Sequence, residues 1–247
     1  MMQISKPMIP ARHRPRGLEI LHEDRDILVI NKEPGLLTVS YRRDEMRTAE
    51  RILTNFLRKG NSRSSLQAYV VHRLDRETSG LLVFAKSPQA QSRLKDNWKQ
   101  AEKSYLAIVH GHLLAKSGTF SSRLAEDDDQ FVYSVNDPGA GRLAETKYDV
   151  IRETRSTSVV RVTLLTGRKN QIRVHFAEAG HPVVGDPKYG RPDSARIRMA
   201  LHAKFLAFPH PHRGERIAFD TGIPEYFQRL AGGLDEAAWS QFAGQAL

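Results

Sequence analysis

Short apolar runs broken by polar residues fill most of this chain, and helical spacing interrupts them only locally. The stretch 18–32 holds two such runs separated by charged residues, and the Pro34-Gly35 pair that follows marks a turn. From Thr48 to Lys59, Ala49, Ile52, Leu53, Phe56 and Leu57 recur on one helical face, which predicts an amphipathic helix packed on a core. "LLVFAK" (81–86) has the length and composition of a buried strand. Ser87 then offers an N-cap with Pro88 at the first helical position, predicting a helix to about Gln100. "KSYLAIVHGH" (103–112) alternates as a strand does.

Residues 121–141 are polar, with an acidic cluster at Glu126–Asp129 and a turn at Asp137-Pro138-Gly139, and they read as an excursion or irregular hairpin. "ETKYDVIRE" and "STSVVRVTLLT" read as paired strands ending at Gly167. "NQIRVHFAEAG" has helical spacing at Ile172, His175, Phe176 and Ala179, closed by Gly180. After a Pro/Gly-rich loop come the strand-like "ALHAKFLAF" and "RIAFD", then helical ends at 224–231 and 235–243. Strands dominate and do not alternate regularly with helices, so the pattern predicts an α+β, mixed-sheet domain over 18–247. The proline-studded basic segment 1–17 reads as a weakly ordered arm.

Composition adds a partner. The 247 residues carry 38 Lys and Arg against 28 Asp and Glu, a formal charge of +10, which points to a polyanion, nucleic acid before a membrane surface. Generic solubility by excess charge is the competing account. No apolar run approaches the roughly 18–20 residues of a membrane span, and the first 17 residues lack the apolar stretch of a secretory signal. Cysteine is absent, which removes disulfides and thiolate metal sites. The expectation is a soluble, cytoplasmic monomer.

Candidate chemistry is sparse. The chain has 10 histidines, but "HPHR" (210–213) is not a helical ligand pair and no carboxylate motif accompanies it, so no metal is expected. "GRKNQIR" is no phosphate-binding loop, and no serine lies in Gly-x-Ser-x-Gly. What remains is Asp75 in "HRLDRETSG", between Arg73 and Arg76 and just ahead of the buried strand. Cationic neighbours favour an ionised carboxylate, suited to a nucleophile or an anionic stabiliser. Taken alone, a structural ion pair or a turn-forming Asp is the more common account of such residues.

"HRLDRETSGLLVFAK" resembles the signature of the RluA-type RNA pseudouridine synthases. Three further segments fall in that family's order. "ILVINKEPGLLT" is similar to its first motif, "KSYLAIVHGH" to its tyrosine-bearing strand, and "TGRKNQIRVHFAEAGHPVVGDPKYG" to its long C-terminal motif. The resemblance implies a single catalytic domain with a central mixed, mainly antiparallel sheet, flanking helices and a basic active-site cleft. It also implies isomerisation of uridine to pseudouridine in RNA, without metal or small-molecule cofactor. Asp75 falls on the family's catalytic aspartate, Tyr105 on the tyrosine that stacks on the target base, and Arg173 on the cation that pairs with the aspartate. Ile172 falls on its apolar neighbour, and Arg73 on an arginine that holds the RNA where the nucleotide flips out. Arg168, Asn170 and Gln171 fall in the same substrate-binding segment.

One position departs from the pattern: Asn170 stands where the family usually has His, and it cannot titrate. Only about 17 residues precede the catalytic segment, so the resemblance leads one to expect no N-terminal accessory RNA-binding domain. The implied partner is a structured stem-loop of transfer RNA or large-subunit ribosomal RNA. The rival from another class is a catalytically silent RNA-binding or RNA-folding protein with the same fold, and retention of Asp75, Tyr105 and Arg173 together argues against it.

Overall fold

The structure, a computed structural model, describes residues 15–40, 47–191 and 197–241. Most of the predicted arm therefore lies outside the described residues, as does the end of the last predicted helix. In chain order the elements are β1 (Leu18–Glu23), β2 (Ile27–Lys32), α1 (Ala49–Arg58), β3 (Tyr69–Val70), β4 (Ser79–Ala85) and α2 (Pro88–Asp96). There follow β5 (Glu102–His110), β6 (Ser117–Glu126), β7 (Val132–Val135), β8 (Arg142–Glu153), β9 (Thr157–Leu164) and α3 (Gln171–Glu178). The chain then forms β10 (Leu201–Pro209), β11 (Arg216–Asp220), α4 (Glu225–Leu230) and α5 (Glu236–Ser240). The class is α+β, as the strand-rich pattern predicted.

The local signals act as physics requires. Thr48 caps α1 by accepting the Arg51 N–H, and Ala49, Leu53 and Leu57 are its buried face. Ser87 accepts the Ala90 N–H at the start of α2. That helix is shorter than predicted. It stops at Asp96, where the Asn97 amide donates to the Arg93 carbonyl, and Trp98–Gln100 continues as a single 3-10 turn. The excursion is an ordered hairpin: β6 pairs antiparallel with both β7 and β8.

The chain gathers into two compact units. The first takes residues up to Glu102 together with Phe205–Thr221. In it β1, β2 and β4 form an antiparallel ladder, β3 pairs with β4, and β11 pairs with the end of β10. Every residue of β4 is buried, so its apolar run packs on both faces. Val29, Leu81, Val83, Leu94, Phe208 and Phe219 belong to its core.

The second unit takes Lys103–Lys204 and the chain from Gly222 onward. Here β5, β9, β8, β6 and β7 are neighbours in that order, all antiparallel. Phe120 stacks on Tyr148 at 4.9 Å and meets the edge of Phe176 at 5.1 Å, which seats α3 against β6 and β8. Trp239 of α5 lies beneath two cations, Arg161 at 5.1 Å and Lys204 at 4.9 Å.

Candidate active site

In the first unit Asp75 sits half-buried in the loop between β3 and β4, with Arg73 and Arg76 exposed on either side. The loop is bolted to the segment after β2. The Thr38 hydroxyl donates to the Leu74 carbonyl at 2.9 Å and accepts the Leu74 N–H at 3.2 Å. On the other side of Asp75, the ammonium of Lys32 is fully buried and donates to three backbone carbonyls: Glu33 at 2.9 Å, Leu36 at 2.8 Å and Arg76 at 3.1 Å. A buried ammonium is tolerated only when its three donors find acceptors, and these carbonyls supply them.

Gly35 completes the clamp. Its N–H donates to the Arg76 carbonyl at 2.8 Å, and its φ of 82° is a left-handed conformation that glycine adopts freely. The Arg76 side chain returns the contact through Nε to the Gly35 carbonyl at 3.2 Å. Arg76 thus braces the Pro34-Gly35 turn. After Asp75, its own carbonyl accepts the Thr78 N–H at 3.2 Å and starts the turn into β4. A cavity of about 460 Å³ opens beside this clamp, with Arg47 and Arg76 as its cations and Glu33 as its acid.

His72, three residues before Asp75, faces inward. Its Nε2 accepts the Val83 N–H at 3.2 Å, and its ring lies 4.6 Å from that of Trp98. The metal question centres on Asp24, Asp26 and His210, whose ligand atoms come together. His210 Nδ1 accepts the N–H groups of His212 and Arg213, so Nε2 carries the proton and donates it to Asp24 at 3.0 Å. That leaves no ring lone pair for a cation. Burial alone would raise the Asp24 pKa, but hydrogen bonds from His22, the Ile27 and Asp26 N–H groups and His210 hold it well below the carboxylate range.

In the second unit the loop 166–170 and α3 carry the remaining candidates. Gln171 is internal. Its Oε1 accepts from the Thr166 hydroxyl at 2.8 Å and the Arg168 N–H at 2.9 Å, while Nε2 donates to the Glu145 carbonyl and to Thr146 Oγ1, both at 2.9 Å. This amide shapes the "GRKNQ" turn and fixes the start of α3 against β8. Arg168 remains exposed, its Nε on the Leu143 carbonyl at 2.9 Å. His175 bonds Thr146 Oγ1 through Nδ1 at 2.8 Å and Ser122 Oγ through Nε2 at 3.0 Å, and burial lowers its pKa. Ile172 is buried on α3, and Tyr105 is buried on β5 opposite Val162.

Arg173 is no surface arginine; it is 6% exposed. Asp186 holds it bidentately, accepting from Nε at 2.7 Å and from Nη2 at 2.8 Å. Asn170 Oδ1 accepts from Nη1 at 3.1 Å, and the Tyr189 ring lies 5.1 Å from the guanidinium carbon. Asp186 also accepts the N–H groups of Lys188 at 2.9 Å and Tyr189 at 3.0 Å. Burial pushes the Asp186 pKa up, but the Arg173 hydrogen bonds and charge, with those two N–H groups, bring it below its ordinary value.

Sequence reasoning missed Asp186, Tyr189, Thr38 and Lys32. A signal for Asp186 was present, since it and Glu178 are the two acids in the stretch 167–190. For Lys32 there was none, because a lysine at a strand end reads as solvent-facing.

Comparison with known proteins agrees with these motifs. Residues 26–178 match the family model described as RNA pseudouridylate synthase. The chain is 34% identical over 230 residues to the uncharacterized RNA pseudouridine synthase YlyB of Bacillus subtilis, covering 87% of this chain and 72% of that protein. It is 33% identical over 246 residues to ribosomal large subunit pseudouridine synthase D of Neisseria meningitidis, covering 90% of this chain and 64% of that one. Among solved structures, human RNA pseudouridylate synthase domain containing 1 is 26% identical with a TM-score of 0.73, covering 96% of this chain and 98% of that one. The chain belongs to the RNA pseudouridylate synthase family, whose enzymes are isomerases.

Proposed function

We propose that this protein isomerises a uridine in a structured RNA, with Asp75 as the reacting carboxylate and Arg173 as the cation that keeps it anionic. In the reaction the bond from ribose C1′ to uracil N1 breaks, the base turns, C1′ joins C5, the C5 proton leaves and N1 takes up a proton, so that the product is an isomer of uridine. A carboxylate serves this chemistry as a nucleophile toward sugar or base, or as the base that removes a ribose proton. The target nucleotide has to leave its stack to meet Asp75, and Tyr105 is the aromatic face on which the extruded base rests.

The observation that carries the reading is the clamped loop. The residues on either side of Asp75 are held through their backbone, Leu74 by Thr38 and Arg76 by Lys32, within the stretch that the family model covers. Catalysis needs a reacting group held in one geometry, and such anchoring supplies it. The substrate proposed is large-subunit ribosomal RNA, because relatives such as the Neisseria meningitidis protein carry that name; the formal charge of +10 suits any RNA. The enzyme acts as a monomer, without metal or cofactor.

A transcriptome-wide pseudouridine map with and without the protein tests the proposal. Loss of a signal in large-subunit ribosomal RNA supports it, and loss in transfer RNA alone redirects the substrate. An unchanged map would sink the enzymatic reading. Asp75→Asn is expected to abolish isomerisation while keeping RNA affinity.

A further inference from the structure

We propose that Asn170 and Tyr189 form a positioning pair for Arg173, and that the pair ties the guanidinium's setting to the seating of the β6–β7 hairpin. The inference rests on the reading of Arg173 as the cation of the site.

The Tyr189 hydroxyl receives two hydrogen bonds at 3.0 Å, one from Asn170 Nδ2 and one from the Val132 N–H of β7. Asn170 therefore donates to Tyr189 with one end of its amide and accepts from Arg173 Nη1 with the other, at 3.1 Å. A neutral amide does both at once and does so at every pH. Its backbone φ of 53° lies in the left-handed region, which Asn tolerates better than most residues, and its side chain forms no capping bond to α3. The side chain at the usual capping position is committed to the bridge instead.

The bridge supplies what Asp186 does not. A bidentate carboxylate fixes the plane of a guanidinium along the Nε–Nη2 edge. The third bond, from Nη1 to Asn170, fixes its tilt and hence the directions of the remaining N–H bonds. Tyr189 holds Asn170, and the hairpin holds Tyr189. Phe131 packs on the Tyr189 ring at 4.8 Å, and Lys188 donates to the Gln130 carbonyl at 2.6 Å. Lys169, the residue before Asn170, pairs with Glu126. The tip of the hairpin and the entry to α3 are thus one hydrogen-bonded assembly, with Tyr189 at its centre.

The test compares kcat and KM on a target stem-loop for Tyr189→Phe, Asn170→Ala, the double variant and Arg173→Ala. Tyr189→Phe removes one oxygen and leaves the ring packing. Tyr189→Phe and Asn170→Ala are each expected to lower kcat about tenfold, as loss of an outer partner typically does, with KM within about twofold of wild type. The double variant should fall no more than about twofold below the weaker single one, because both remove the same bridge. Multiplying losses, or a loss carried by KM alone, would overturn the proposal. So would wild-type kcat in Tyr189→Phe beside an impaired Arg173→Ala, an outcome that spares the reading of Arg173. Wild-type kcat in Arg173→Ala would instead remove that reading, and the positioning pair with it.

Discussion

Thr38 satisfies both polar groups of Leu74 with a single hydroxyl, donating to its carbonyl and accepting its N–H across 36 residues of sequence. Both backbone polar groups of the residue ahead of Asp75 are thereby tied down, which restrains the segment that carries the carboxylate. Thr38→Val keeps the shape and strands both groups in a buried place, at a cost of about 1–3 kcal/mol. Turnover should fall about tenfold, since a displaced reacting group loses rate quickly. Thr38→Ser should stay near wild type. Urea unfolding and single-turnover assays read the two effects, and full turnover in a destabilised Thr38→Val would make the clamp purely structural.

Lys32 organises the other side of Asp75 from below. Lys32→Met removes the charge and leaves three carbonyls facing an apolar methyl. The expected destabilisation is about 3 kcal/mol, seen as a lower denaturant midpoint with an unchanged slope. An unshifted midpoint would show that the turn 33–37 holds itself.

Stability should depend on pH through His202. Burial first, then the charges of Arg198 and Lys204, lower its folded pKa from the ordinary 6.5 to about 3. Between these values the unfolded chain binds a proton that the folded chain does not. Stability is therefore full above pH 6.5 and declines as pH falls toward 3, by about 1.4 kcal/mol per unit. His202→Phe should flatten that part of the curve in thermal melts taken from pH 7 to pH 4. An equally steep curve in the variant would assign the slope to other groups.

RNA affinity should fall steeply with salt. A formal charge of +10 binds RNA by releasing counterions, with a log–log slope of roughly −0.7 to −0.9 per phosphate contacted. Titrating a stem-loop against the Asp75→Asn variant at several salt concentrations measures the slope without turnover. A flat response would assign the excess charge to solubility.

The amphipathic helix from Thr48, the Ser87-Pro88 start of α2 and the buried strand read at 81–86 and found at 79–85 were all legible, because helical periodicity, caps and apolar runs act within a few residues. The early end of α2 was not, since a polar side chain returning to its own backbone at Asn97 leaves the apolar periodicity unchanged. The asparagine at position 170 was visible as a departure from the family pattern, but its purpose was not. Only folding brings Tyr189 and Val132 to it.

The sequence by itself determined the fold class and the family, and it singled out Asp75 as the proposed reacting residue, because periodicity and ordered motifs are properties of the chain. The tertiary structure decided what holds those residues. It added Thr38 and Lys32 to Arg76 as supports of the Asp75 loop, and it gave Arg173 a bidentate partner in Asp186. The physical reason is distance along the chain. Hydrogen bonds and buried charges join groups tens of residues apart, and they leave no periodic trace in the sequence.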